Sequence, residues 1–338
     1  MTAPDLTRRH GAAPARRRWL PLLAAALGLL AIISATVVVL LRDRHRDEPV
    51  PYRFERLADP ARTVMRNPAG EVVAVFTDGA RTAVLSGAER VLSEPATTTA
   101  TVTTRAVVRL TPRPWHAHDE DKTWFRAWYA EAMESPDPDV IAIALQYLHG
   151  AAQQRDRDGV RFAGSASFGP VRQGQVSEFS DFTDYLGIDW TFPDRTVRKP
   201  NRDRYGALDC SGFVRMVYGY RSGYPMEFMT PTGTALPRRA VMMAEHGPGI
   251  VVVPDSAARA AHMDRLQPGD LVFFDVDPSD GTKVDHVGIY LGIDSSGRRR
   301  FVSSRKANDG PTLGDTGGVS LLDGTGLYAR GFRSARRL

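Results

Sequence analysis

From Trp19 to Leu41 the chain runs through 23 residues without an ionisable side chain. As a helix this stretch would measure ~34 Å, enough to cross a ~30 Å hydrocarbon core. Pro21 falls in the first turn, where a missing N–H costs little, and Trp19 falls at the expected membrane interface. Arg8, Arg9, Arg16, Arg17 and Arg18 precede the run, whereas Arg42, Arg44 and Arg46 follow it beside Asp43, Asp47 and Glu48. The positive-inside rule therefore predicts a cytoplasmic N-terminus and an extracytoplasmic body. A cleaved signal peptide would carry a shorter apolar region, ~7–15 residues, before a small-x-small site. This run ends instead in Val37-Val38-Val39-Leu40-Leu41, so an uncleaved single-pass anchor is expected.

Composition narrows the function classes. Of 338 residues, 42% are hydrophobic and 25% charged, which excludes wholesale disorder. The net charge is +5, but residues 1–18 hold five arginines against Asp5, or +4, which leaves +1 for the rest. A basic nucleic-acid-binding face is therefore not implied. Cys210 is the sole cysteine, so disulfide scaffolds, multi-cysteine zinc folds and a lipidated N-terminus are excluded.

The expected organisation is a basic tail at 1–18, an anchor at 19–41, a linker at 42–61, a β-rich segment at 62–114, a helical hairpin at 115–160 and a C-terminal domain at 161–338. Glu71 to Phe76 is a β-favouring run closed by the turn pair Asp78-Gly79, and Thr97 to Leu110 is rich in Thr and Val. Trp124, Phe125, Trp128, Tyr129 and Met133 recur at helical spacing and predict one apolar face. A second helix follows Pro136-Asp137-Pro138-Asp139, with Asp137 or Asp139 as its cap. His116, His118, Asp119, Glu120 and Asp121 fit no metal-ligand template and read as a helix start.

The chemistry gathers around Cys210. In Tyr205-Gly-Ala-Leu-Asp-Cys-Ser-Gly-Phe-Val-Arg-Met-Val-Tyr218, residues Phe213, Val214, Val217 and Tyr218 follow the cysteine at helical spacing. That places Cys210 in the first turn of a helix, whose N-terminal end favours a thiolate. Leu266-Gln-Pro-Gly-Asp-Leu-Val-Phe-Phe274 predicts a turn and a strand, and Asp285-His-Val-Gly-Ile-Tyr-Leu-Gly-Ile293 a second strand opening at His286. Arg300 to Ser304 predicts the return strand. A histidine at a strand start can serve a cysteine at a helix N-terminus as general base.

These three motifs, in this order, resemble the NlpC family of papain-like cell-wall peptidases. The resemblance runs from about Phe179 to Ser304. It implies an α+β, circularly permuted papain-like fold and a cysteine endopeptidase that hydrolyses peptidoglycan stem peptides without metal or cofactor. Carried over by motif, Cys210 is the nucleophile and His286 the general base, and the mechanism expected of them starts from an ion pair or near ion pair between thiolate and imidazolium. The third place falls to Ser303 in Phe301-Val302-Ser303, where the family commonly has a histidine; Ser304, Asn308 and Asp309 are alternatives. Asp209, Ser211 and Tyr205 are expected at the substrate site, and the Cys210 backbone N–H at the oxyanion. Arg305 or Lys306 could meet a substrate carboxylate, and Arg333, Arg336 and Arg337 read as a solvated tail. The other class to weigh is a catalytically weak or inactive wall-binding component of an envelope-spanning secretion or DNA-transfer machine.

Overall fold

The computed structural model describes residues 52–338 apart from Gln173 and Asp280. The basic tail, the anchor at 19–41 and the first part of the linker lie outside the described residues. Among the described residues no helix is long and apolar enough to cross a membrane.

The first strands form a five-stranded antiparallel meander: β1 (Arg53–Leu57), β2 (Arg62–Arg66), β3 (Val72–Thr77), β4 (Thr82–Leu92) and β5 (Val102–Leu110). β1 lies inside the expected linker, because its residues pair with β2 along its whole length, from Arg53 opposite Arg66 to Leu57 opposite Arg62. The helix α1 (Thr123–Glu134) carries the predicted aromatic stripe. It does not pair with the next helix as a hairpin. Phe125 packs instead between Phe54, Phe76 and Trp115 of the meander side, with ring centroids 5.3–6.0 Å away. The helix α2 (Val140–Leu145) turns the other way and joins the hydrophobic core around Cys210 and Phe213. Its cap is Asp139, which accepts from Ala142 N–H at 3.0 Å, from Val108 N–H at 2.7 Å and from both Nη atoms of Arg90.

Three short ribbons follow: β6 (Gln154–Arg155) with β7 (Arg161–Ala163), β8 (Val171–Arg172) with β9 (Gln175–Val176), and β10 (Trp190–Thr191) with β11 (Val197–Arg198). Between the second and third lies α3 (Phe182–Leu186), closed by a capping box of Asp181 and Asp184. The helix α4 (Cys210–Val214) continues as a π-helical segment to Arg221, and α5 (Ala240–His246) follows.

The second sheet is six-stranded and antiparallel, in the order β12 (Ile250–Val253), β17 (Phe332–Arg337), β13 (Leu271–Phe274), β14 (His286–Ile293), β15 (Arg299–Arg305), β16 (Gly310–Thr312). Period-two alternation divides it. Val287, Ile289, Leu291 and Val302 share a core with α4, whereas Phe274, Tyr290 and Phe301 share one with Tyr328 of α6 (Leu327–Gly331). The C-terminal arginines are not a solvated tail. They belong to β17, between β12 and β13, and Arg337 is fully buried on Asp270 at 2.7 Å and Thr77 at 2.7 Å. Residues 53–338 form one compact unit, so the expected boundaries at 114 and 160 separate nothing. The meander is bonded to the second sheet through Thr82 N–H on Leu338 O and Ser295 N–H on Thr101 O.

Candidate active site

Cys210 is the first residue of α4, and Asp209 is its N-cap, accepting from Gly212 N–H at 2.7 Å. Gly212 is required by a close approach: a Cβ there would lie 2.1 Å from the Ser180 carbonyl oxygen. The backbone of 180–181 thus runs against the start of α4, which is why a glycine follows Asp-Cys-Ser. Across the cleft, β13 and β14 place His286 opposite Phe274, with the imidazole against the rings of Phe274 and Tyr328. Cys210 and His286 both line a cleft of about 710 Å³, together with Asp209, Ser211, Phe179 and Arg238.

The thiol and the imidazole are brought to one cleft but not into a hydrogen bond. The Cys210 Sγ lies 3.9 Å from the Asp285 carbonyl oxygen. Burial is the first cause pushing the Cys210 thiol up to about 12, and the Asp209 charge adds to it; the Val287 N–H and Arg238 act in the opposite sense. Burial also drives the His286 imidazole down to about 3, with the Arg305 charge adding to it. Both shifts favour the neutral forms. Burial thus works against the expected thiolate–imidazolium pair, in the opposite sense to the helix end.

Ser303 reaches the imidazole: its Oγ is 3.0 Å from His286 Nε2. Ser304, on the opposite strand face, instead donates to Leu208 O at 2.5 Å. Asn308 contacts Gly310 and Pro311, and Asp309 accepts from Phe168 N–H, so neither is bonded to the imidazole.

The expected substrate residues fare differently. Asp209 and Ser211 line the cleft, but Arg238 already holds them, with Nη2 on Asp209 Oδ2 at 2.6 Å and Nη1 on Ser211 Oγ at 2.7 Å. Tyr205 is not brought to the cleft; it is about half exposed and its ring covers Gly187. Lys306 is ion-paired to Glu178, and Arg305 is buried beneath Ser303. Asp119–Asp121 form a short 3-10 turn with His118 at its N-cap, and no metal-binding group occurs among the described residues.

Sequence reasoning missed the charged layer under α4. Asp181 is fully buried and takes Arg215 at 3.1 Å, Arg198 at 3.4 Å and Arg238 at 3.5 Å. These arginines hold its carboxyl below the usual range against a large burial cost. One signal was present: Arg215 interrupts the apolar run from Phe213 to Tyr218, and a charge in such a run needs a buried partner.

Residues 199–310 match the NlpC/P60 family model. Among solved structures, the chain is similar to a lipoprotein-like NLP/P60 family protein of Staphylococcus aureus at 23% identity, over 49% of this chain and 44% of that one, with a TM-score of 0.25. It is also similar to an NlpC/P60 family protein of Bacillus cereus at 13% identity, over 84% of this chain and 78% of that one, with a TM-score of 0.30. The chain thus spans less than half the length of the staphylococcal protein. No curated protein matches it. The matched segment contains α4, β13, β14, β15 and both cleft residues Cys210 and His286, and it is an NlpC/P60 family domain.

Proposed function

We propose that the chain is a peptidoglycan hydrolase that cuts stem-peptide bonds by thiol chemistry on a circularly permuted papain-like scaffold. The observation that carries this reading is the placement of a helix-heading cysteine and a strand-opening histidine on one cleft, within the matched segment. The Cys210 proton passes to His286 as sulfur attacks the stem-peptide carbonyl. The Cys210 backbone N–H, at the head of α4, is the candidate oxyanion donor. His286 then protonates the leaving amine and activates the water that hydrolyses the thioester. Ser303 orients the imidazole. The anchor at 19–41 would hold this body on the outer face of the membrane, with the N-terminus in the cytoplasm.

Digestion of purified peptidoglycan by the full chain, beside its Cys210→Ser variant, tests the reading by mass spectrometry. New stem-peptide fragments from the wild type alone are expected. Fragments from both chains would remove Cys210 from the chemistry. A second reading has its own support: burial that disfavours the charged thiol and imidazole, with Asp209 tied up by Arg238, also fits an inactive wall-binding component of an envelope machine. That reading predicts no fragments from either chain, and wall binding and partner co-purification unchanged by Cys210→Ser.

A further inference from the structure

Arg305 is a buried cation with no ion-pair partner among the described residues, and it sits directly behind the imidazole. It is 2% exposed and lies on β15, two residues after Ser303. Its guanidinium stacks 4.3 Å over the Tyr328 ring and 5.2 Å over Phe301. Its Nη atoms donate to Ser320 Oγ and to the Thr316 and Gly318 carbonyls. Glu94 and Asp315, the acids whose charge it feels, are held elsewhere, Glu94 by Thr312 and Leu313 and Asp315 by Arg300. The Nε–H is given to Ser303 Oγ at 3.1 Å.

That last bond decides where a proton goes. A guanidinium only donates, so Ser303 Oγ must accept from it. A hydroxyl has one proton of its own to place. Ser303 is fully buried, and its side chain has two polar partners among the described residues, Arg305 Nε and His286 Nε2. If Nε2 carried a proton and donated it to Ser303, the serine proton would be buried without an acceptor. The arrangement closes only when Ser303 donates to a bare Nε2, which leaves the imidazole proton on Nδ1. The cation behind the hydroxyl favours the same orientation, with the serine proton turned away from it.

We propose that Arg305 is a positioning residue that acts through Ser303 to hold His286 in its Nδ1–H form, withholding a free ring nitrogen from the Cys210 thiol. The proposal rests on the reading of Cys210 and His286 as the reacting pair. The base becomes available only when the Ser303 hydroxyl turns and the proton moves from Nδ1 to Nε2. The titratable and charged groups around the imidazole are Arg305 from β15, Tyr328 from α6, Cys210 from α4 and Asp285 immediately before it on the chain. Of these, Arg305 is the one that disfavours a second proton on the ring through its charge.

The test begins on the wild-type full chain, by nitrogen-15 NMR of the His286 ring at pH 7, assigned by the signals lost in His286→Gln. A protonated Nδ1 and a bare Nε2 are expected. A protonated Nε2, alone or with Nδ1, overturns the proposal. The second arm compares Arg305→Gln and Arg305→Lys by the rate of Cys210 alkylation across pH, with circular dichroism as the folding check. Removing the charge should speed alkylation several-fold at neutral pH, and lysine, which keeps the charge, should stay near the wild-type profile. A folded Arg305→Gln chain that alkylates no faster than wild type overturns the proposal. If that variant does not fold, the wild-type spectrum still decides. Neither arm needs turnover, so an inactive enzyme and a wrong proton placement give different results.

Discussion

His286 illustrates how burial outweighs a motif's intrinsic chemistry at the scale of one residue. Its imidazole lies between Phe274 and Tyr328 and is driven from 6.5 to about 3, by burial first and by the Arg305 charge second. Between those two values the unfolded chain binds a proton that the folded chain does not, so stability rises with pH across the window and is lost as pH falls through it. Urea unfolding near pH 4 should therefore show a loss on the order of 3 kcal/mol relative to pH 7 from this group, and His286→Gln should remove that part of the slope. Gly212 makes the second prediction at this scale. A Cβ there meets the Ser180 carbonyl at 2.1 Å, so Gly212→Ala should destabilise the fold by about 3 kcal/mol, read as a lowered Tm. The Asp-Cys-Ser-Gly and Asp-His-Val-Gly strings made Cys210 and His286 legible, because each role is written in neighbouring residues. Arg238 was illegible because its partner Asp209 is 29 residues away, and Arg305, read from sequence as a substrate contact, reaches the imidazole on another strand only through Ser303.

At the scale of elements, periodicity told which face of a segment is apolar but not what covers it. The stripe of α1 was legible, yet its rings close on the meander, where Phe76 stacks on Trp115 at 4.3 Å. Proline and aspartate after α1 turn the chain away before a hairpin can form, and α2 enters the other core. Asp139 is where these parts meet. It caps α2, pairs with Arg90 of β4 and accepts from Val108 N–H of β5. Asp139→Ala leaves that N–H without its side-chain acceptor and the Arg90 guanidinium without its carboxylate, with only the Ala106 carbonyl remaining. A loss of about 3 kcal/mol is expected, with Asp139→Asn recovering part of it, measured by chemical denaturation.

For the whole molecule, the C-terminal strand is one of the links between the two sheets. Arg337 lies on β17, beside β13, and bonds Asp270 in the turn before β13 and Thr77 in the meander. Arg337→Met strands a buried carboxylate and should cost about 3–5 kcal/mol, whereas adding Asp270→Asn to it should restore part of the loss. Equilibrium unfolding of the two variants checks the difference. The proposed orientation belongs to the same scale: protease added to intact spheroplasts should degrade the body and spare residues 1–18. Survival of the body under that treatment would reverse the topology.

The sequence by itself determined the residues whose chemistry is local. These are the uncharged run at 19–41, the cysteine behind its aspartate cap, the histidine opening a strand, and the serine that faces it. Each is set by spacing along a single element, and spacing is what a sequence records. Tertiary structure alone decided the burial of Cys210 and His286, the fate of the C-terminal arginines and the partner of the aromatic helix. Those outcomes depend on which side chains from distant segments share a buried volume. Burial and the charge of Arg305 are properties of that volume, and no motif around His286 carries them.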